Sequence, residues 1–296
     1  MKRPILVAAL AALLIATSYA GSNSGLGSGS TSTKKEAPER RGWGGSPLYG
    51  DVESVTITNY NLSDKFGEIV KENMREREVY KFNPNGDVTE QVEYNSDGSL
   101  DYKNLYKYDS QGNQIECAIY NGDGSLDYKN LCKYDLQGNM IERASYNSVG
   151  SLFYKDICKY DLQGNMIERA SYNSVGALFY KYLYNYDSQG NLIEVACYKG
   201  DGSLDHKYIR KYDSQGNEIE VAEYNSDGSL DHKYIRKYDS QGNEIEGAEY
   251  NSDGSLSSKN CYKYKYDSQG NWIEQVRYKG EIMKPISMEE RTIVYR

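Results

Sequence analysis

Histidine and the apolar aromatics are almost missing from this chain. Its 296 residues hold two histidines, four phenylalanines, two tryptophans and five prolines. With only His206 and His232 to draw on, a multi-histidine metal centre or a Ser/His/Asp grouping is poorly supplied. There is no phosphate-cradling P-loop and no Cys-x-x-Cys pair. Hydrophobic residues make up 38% of the chain, with too little Leu, Val and Phe for a conventional domain of this length. A basic excess is lacking too. The net charge is −8, and Lys is interleaved with Asp and Glu throughout, which argues against nucleic acid as a partner.

One long apolar run exists, Ile5–Ala16, and its 12 residues are too few to span a bilayer. Lys2 and Arg3 precede it, and Ser18-Tyr19-Ala20 follows with small residues at a cleavage position. Residues 1–20 therefore read as a secretory signal peptide. Gly21 rather than Cys follows the cleavage point, so no lipobox is present. The mature chain is expected to be secreted, periplasmic or on the cell surface, without a membrane span. Five cysteines (117, 132, 158, 197 and 261) form no disulfide framework, being odd in number. Cys132 and Cys158 share a repeat position held elsewhere by Tyr106 and Tyr184, so they read as small apolar strand residues with free thiols.

What the chain has in abundance is tyrosine, 31 in all, and a repeat. The stretch Tyr108–Asn113 (YDSQGN) returns almost unchanged six more times, the glycines falling at 112, 138, 164, 190, 216, 242 and 270. The spacing is 26 residues, with one final step of 28. Such a period marks a repeat architecture. A second turn motif, NSDGS at Asn95–Ser99, recurs between the first. In both, Asp or Asn can bond back to the backbone and glycine supplies a positive φ. Two turns per period leave two strands of roughly 8–10 residues, so each repeat is a β-hairpin. The expected fold is all-β, tandem hairpins forming one extended, curled antiparallel sheet.

Simple alternation puts Leu100, Tyr102, Tyr108 and Tyr120 on one face and Leu105 and Ile115 on the other, unless a bulge mixes them. Residues 21–50 are rich in Gly and Ser and read as a flexible linker. Residues 51–93 read as capping strands with a degenerate half-repeat. Within them, Ser63–Asn73 suits strands about a turn better than a helix. Residues 94–280 hold seven repeats. Residues 281–296 read as a closing strand whose exposed edge Glu289, Glu290 and Arg291 would blunt.

The Tyr-Asp pairs followed by Gly-Asn, from Tyr108-Asp109…Gly112-Asn113 to Tyr266-Asp267…Gly270-Asn271, resemble the YD repeats of RHS-repeat proteins. With Lys65–Val70 (KFGEIV) and the closing ISMEERTIVY, the chain is similar to secreted RHS-like proteins of Bacteroidetes-type bacteria from about Asp51 onward. The resemblance implies an extracytoplasmic β scaffold. Large RHS proteins enclose a toxin, and here only about 16 residues follow the final hairpin, so that role is not expected.

Candidate chemistry reads mostly as structure. His206 and His232 replace the tyrosine of Tyr102, Tyr128, Tyr154 and Tyr180, and equivalent positions two strands apart lie too far from each other, at ~9–10 Å, for one metal. The calcium-loop likeness of Asn95–Asp101 lacks its bidentate Glu, and Val149 and Val175 replace the Asp in two copies. Glu116 and its equivalents read as cross-strand partners of lysine. No catalytic residue, cofactor or metal is expected, and the chain is not read as an enzyme. The leading reading is a non-catalytic scaffold for an unidentified protein or cell-envelope partner. The alternative is a glycan-binding module whose sugars stack on Tyr102, Tyr128, Tyr154 and Tyr180.

Overall fold

A computed structural model describes residues 40–296, so the signal-peptide reading and most of the linker reading lie outside the described residues. Among the described residues strands follow one another without helices: β1 (Val52–Lys65), β2 (Glu68–Phe82), β3 (Val88–Asn95), β4 (Leu100–Tyr108), β5 (Gln114–Asn121) and β6 (Leu126–Tyr134). Next come β7 (Met140–Asn147), β8 (Leu152–Tyr160), β9 (Met166–Asn173), β10 (Leu178–Tyr186), β11 (Leu192–Lys199) and β12 (Leu204–Tyr212). The last six are β13 (Glu218–Asn225), β14 (Leu230–Tyr238), β15 (Glu244–Asn251), β16 (Leu256–Tyr266), β17 (Trp272–Lys279) and β18 (Lys284–Tyr295).

Each strand pairs antiparallel with its sequence neighbours, and β18 pairs with β1. The expected extended, curled sheet is thus corrected to a closed 18-stranded barrel. The sequence makes Ser287–Tyr295 a closing strand with an exposed edge. They are instead bonded on both sides, to β17 and to Val52–Asn61 of β1. A sheet this wide has two edges to satisfy, and twist brings them together.

The turns work as their residues suggest. In the YDSQGN turn, Asp109 Oδ1 accepts from the N–H groups of Gln111 and Asn113, and Gly112 takes a φ of 83°. In the NSDGS turn, Asp97 accepts from the Ser99 N–H. Where Val149 replaces that Asp, Asn147 Oδ1 accepts from Val149 and Ser151 instead. The same turn is held by a different acceptor. Ser63–Asn73 forms the β1–β2 hairpin, as the strand reading expects.

Tyrosine stitches one hairpin to the next. Tyr134, Tyr160, Tyr186 and Tyr212 donate to the carbonyls of Gln114, Met140, Met166 and Leu192, each at 2.9 Å. In the lengthened last repeat Tyr264 makes this bond, and the extra length carries Tyr266 on to Asp239.

Bulges decide the faces. One lies where Lys107 and Tyr108 meet Glu116 and Gln114, and another where Ile119 and Tyr120 meet Tyr128 and Leu126. Tyr120 consequently lies opposite Lys103, on the Leu105 face rather than with Tyr102. Ala118 pairs with Leu105 on one side and Lys129 on the other, while the repeat equivalent of Leu105 is Leu131. The pairing therefore climbs two residues per hairpin, a tilt of roughly 35°. Asp109 N–H donates to Asn113, so Lys103, Leu105 and Lys107 turn their backbone groups toward β5. With that climb and the fixed hand of strand twist, their side chains face outward. Lys107 and Lys133 are accordingly 66% and 70% exposed. Tyr102, Tyr106 and Cys117 face the lumen. A ring of 18 strands is on the order of 30 Å across between backbones.

Arg40–Gly50, expected to belong to the linker, are folded. Trp43 and Leu48 are buried with Val52, Val55, Ile57, Phe82 and Val88. This strap joins turns at one rim: Tyr49 N–H donates to Asn271 Oδ1 at 2.7 Å, and Arg41 donates to the Gln111 carbonyl at 3.3 Å. Arg291, read as an edge blocker, lies buried between Trp272 and Trp43, its guanidinium 3.2 Å and 5.7 Å from their ring centroids.

Candidate functional site

The lumen lies behind the rim formed by the NSDGS turns, at the opposite end from the strap. Alternate strands there present one row of rings: Tyr102, Tyr128, Tyr154 and Tyr180 on β4, β6, β8 and β10, then His206 and His232 on β12 and β14. All four tyrosines singled out from the sequence are brought into that row. Tyr128 is the most open of them, at 39% exposure. Tyr154 packs beneath the Arg143 guanidinium at 5.6 Å, and Tyr180 meets Phe179 edge-on at 4.6 Å.

What faces each ring changes around the wall. Tyr102 lies opposite Glu93, Tyr128 opposite Ile119, Tyr154 opposite Ser145 and Tyr180 opposite Ser171. His206 lies opposite Cys197, and His232 opposite Glu223. The two histidines occupy tyrosine positions, as read, and are not brought to each other. Each instead meets a directly opposed polar side chain on the neighbouring strand. Cys197, Asp205 and His206 hold their ligand atoms within 4.8 Å of one another, as do Glu223, Asp231 and His232. Comparing histidine only with histidine misses these partners. The hairpin turn at 199–203 alone would set 197 against 205, and the bulge between Cys197 and Tyr198 moves it to 206.

Deeper in the lumen wall the polar groups pair. Arg143 donates to Asp156 Oδ2 at 2.7 Å, and the Ser171 hydroxyl donates to Asp156 Oδ1 at 2.6 Å. Arg210 donates to Glu218 at 2.7 Å, and Tyr234 to Glu244 at 3.0 Å. Burial pushes the Tyr184 hydroxyl up to about 12 and the Cys197 thiol up to about 11. Burial also lowers Arg291 to about 10, against the pull of Glu289. Near β2 the lumen turns acidic: Glu78 lies opposite Glu93. Burial, with Glu78 and Glu76 adding to it, raises Glu93 and Glu289 above the usual carboxylate range.

The outer wall carries ion pairs in rows. Glu116 sits between Lys107 and Lys129 at 2.9 Å and 3.8 Å, and Glu168 between Lys159 and Lys181 at 2.8 Å each. The glutamate ladder is thus cross-strand charge pairing. The Asp of the NSDGS turn is occupied by its own Ser.

No family model matches the chain, and no curated protein does. Among solved structures, a porin-like protein from Bacteroides uniformis is similar at 10% identity and a TM-score of 0.42, covering 83% of this chain and 98% of its own. A porin-like protein from Bacteroides vulgatus is 12% identical, with a TM-score of 0.32 over 83% and 98%. A DUF1329 family protein from Desulfovibrio piger is 10% identical, with a TM-score of 0.21 over 82% and 86%. None of these likenesses bears on function. The resemblance to YD and RHS repeats is corrected by the same findings: no such family matches, and the hairpins close into a barrel. In this chain the YD…GN spelling builds a hairpin turn with a stitching tyrosine.

Proposed function

We propose that this protein is a non-catalytic, extracytoplasmic β-barrel that binds a polyhydroxylated envelope ligand, of the glycan class, in its lumen. The observation that carries the reading is the row Tyr102, Tyr128, Tyr154 and Tyr180 at the mouth opposite the strap. Tyrosine rings on a concave wall suit sugar faces, and their phenolic groups suit sugar hydroxyls. The N-terminal sequence supports export. No helix among the described residues is long and apolar enough to cross a membrane. A wall crossing as strands needs an outward apolar band, and each Lys at the bilayer midplane costs about 2–4 kcal/mol. Rows of Lys and Glu on the outer wall favour water there. Because those charges pair with each other, the outer wall is a weaker candidate for a protein partner than the lumen.

Titration calorimetry of the mature chain against soluble cell-wall and capsular polysaccharides tests this. Saturable binding is expected, weakened about tenfold by Tyr128→Ala or Tyr180→Ala and unchanged by Tyr120→Ala on the outer wall. Absence of binding, or equal loss in Tyr120→Ala, contradicts the reading. Amino-terminal sequencing of the exported protein is expected to begin at Gly21.

A further inference from the structure

The tyrosine row changes chemistry at β12, and the change is matched across the strand pair. In four repeats a tyrosine faces Glu93, Ile119, Ser145 or Ser171. At the fifth, histidine replaces tyrosine and its partner becomes the cysteine Cys197. The bulge between Cys197 and Tyr198 turns the extra residue, Asp205, toward the same spot. Sulfur, imidazole nitrogen and carboxylate oxygen then lie within 4.8 Å of one another. We propose that Cys197, His206 and Asp205 form a site for a borderline-soft divalent cation of the zinc class.

The donor set fits that class. Thiolate with imidazole selects zinc-like ions over magnesium or calcium, which prefer oxygen alone. Ligand atoms around tetrahedral zinc stand roughly 3.3–3.6 Å apart. The imidazole and carboxylate already lie 3.2 Å apart, and the sulfur, within 4.8 Å of both, closes on them when the ion enters. Water from the lumen takes the fourth position. On binding, the Cys197 S–H bond breaks, its proton leaves to water, and the sulfur pair forms the bond to the metal. The His206 imidazole nitrogen and an Asp205 carboxylate oxygen each donate a lone pair. One dication with thiolate and carboxylate leaves the centre neutral, which suits a wall residue as buried as Cys197, at 1% exposure.

The surroundings allow this rearrangement. Asp205 holds His206 Nδ1 and Lys199 Nζ, each at 3.2 Å. Lys199 is half exposed and free to swing into water when the ion displaces it. Tyr208 packs edge-on against the imidazole at 5.2 Å and restricts its plane. One repeat on, Glu223, Asp231 and His232 repeat the arrangement with oxygen in place of sulfur. That neighbour is a built-in comparison, since it lacks the thiolate.

Cobalt(II) and zinc(II) titrations of the mature full-length chain test the site. Cobalt is expected to give a near-ultraviolet thiolate charge-transfer band at one equivalent, displaced by zinc. His206→Tyr restores the residue found at Tyr102, Tyr128, Tyr154 and Tyr180, so the variant is expected to fold, as far-ultraviolet dichroism will show. It should weaken cobalt binding at least about tenfold. Cys197→Ser should abolish the band, and His232→Tyr should leave it unchanged. Absence of a thiolate band, its survival in Cys197→Ser, or full affinity in folded His206→Tyr overturns the assignment.

Discussion

Asp156 holds the most consequential charge in the lumen wall. Its side chain is 3% exposed, and it accepts from both Arg143 and Ser171. Removing it strands the largely buried Arg143 guanidinium, and breaking such a pair costs about 3–5 kcal/mol. Removing Ser171 deletes one hydrogen bond to a charged group, about 1.5–3 kcal/mol. Urea denaturation is expected to rank Asp156→Ala well below Ser171→Ala in stability. Equal midpoints would mean that Arg143 finds water on its own. The network could not be read from the sequence. Arg143, Asp156 and Ser171 stand 13 and 15 residues apart, and only the register of three strands reveals that they share one face. The pairing of His206 with Cys197 was hidden for the same reason, although a single hairpin connects them.

At the scale of the hairpin the sequence was most transparent. Two glycine turns per 26 residues announced two short strands, and the turns bond as Asp, Asn and Gly dictate. The facing of side chains was less legible, because the bulges at Tyr108/Gln114 and Tyr120/Leu126 break simple alternation. The motif tyrosine also had a second role that spacing alone did not disclose. Its hydroxyl reaches a carbonyl 20 residues back, as Tyr160 does to Met140. Tyr160→Phe is expected to lower stability by about 1 kcal/mol. Tyr172→Phe, at the outer-wall position equivalent to Tyr120, should change it far less. A reversed order would remove the stitching role. The turns add a pH dependence. Hydrogen bonds from Asn191 and from backbone N–H groups hold the Asp187 carboxyl below its usual range. A depressed folded value stabilises above the unfolded value near 3.9 and is lost as pH falls through the folded one. Between about pH 5 and pH 3, the native protein should therefore lose more of its urea resistance than Asp187→Asn. An identical loss would show that the turn carboxylate contributes nothing.

For the whole molecule, closure sets everything that follows: which rings share a lumen, which charges face water, and where the strap lies. It rests on β1 and β18, which pair residues more than 200 positions apart. Their own sequences say only that both are strands. Nothing in Val52–Asn61 or Ser287–Tyr295 specifies the other, and the two meet because 16 intervening strands turn through a full circle. The capping charges suggested an edge, whereas Arg291 stacks between tryptophans from the strap and from β17. An open sheet of 18 strands would hold its first and last strands on the order of 80 Å apart. Asn59 and Glu289 lie directly opposite in the barrel, where facing Cα atoms are about 4.5–5.5 Å apart. The decisive measurement is therefore mass spectrometry of Asn59→Cys/Glu289→Cys after mild oxidation of the monomer. A peptide joined through positions 59 and 289 within one chain is the result expected of the barrel. If the monomer yields no such peptide while each single variant folds, the ring is not closed and the lumen does not exist.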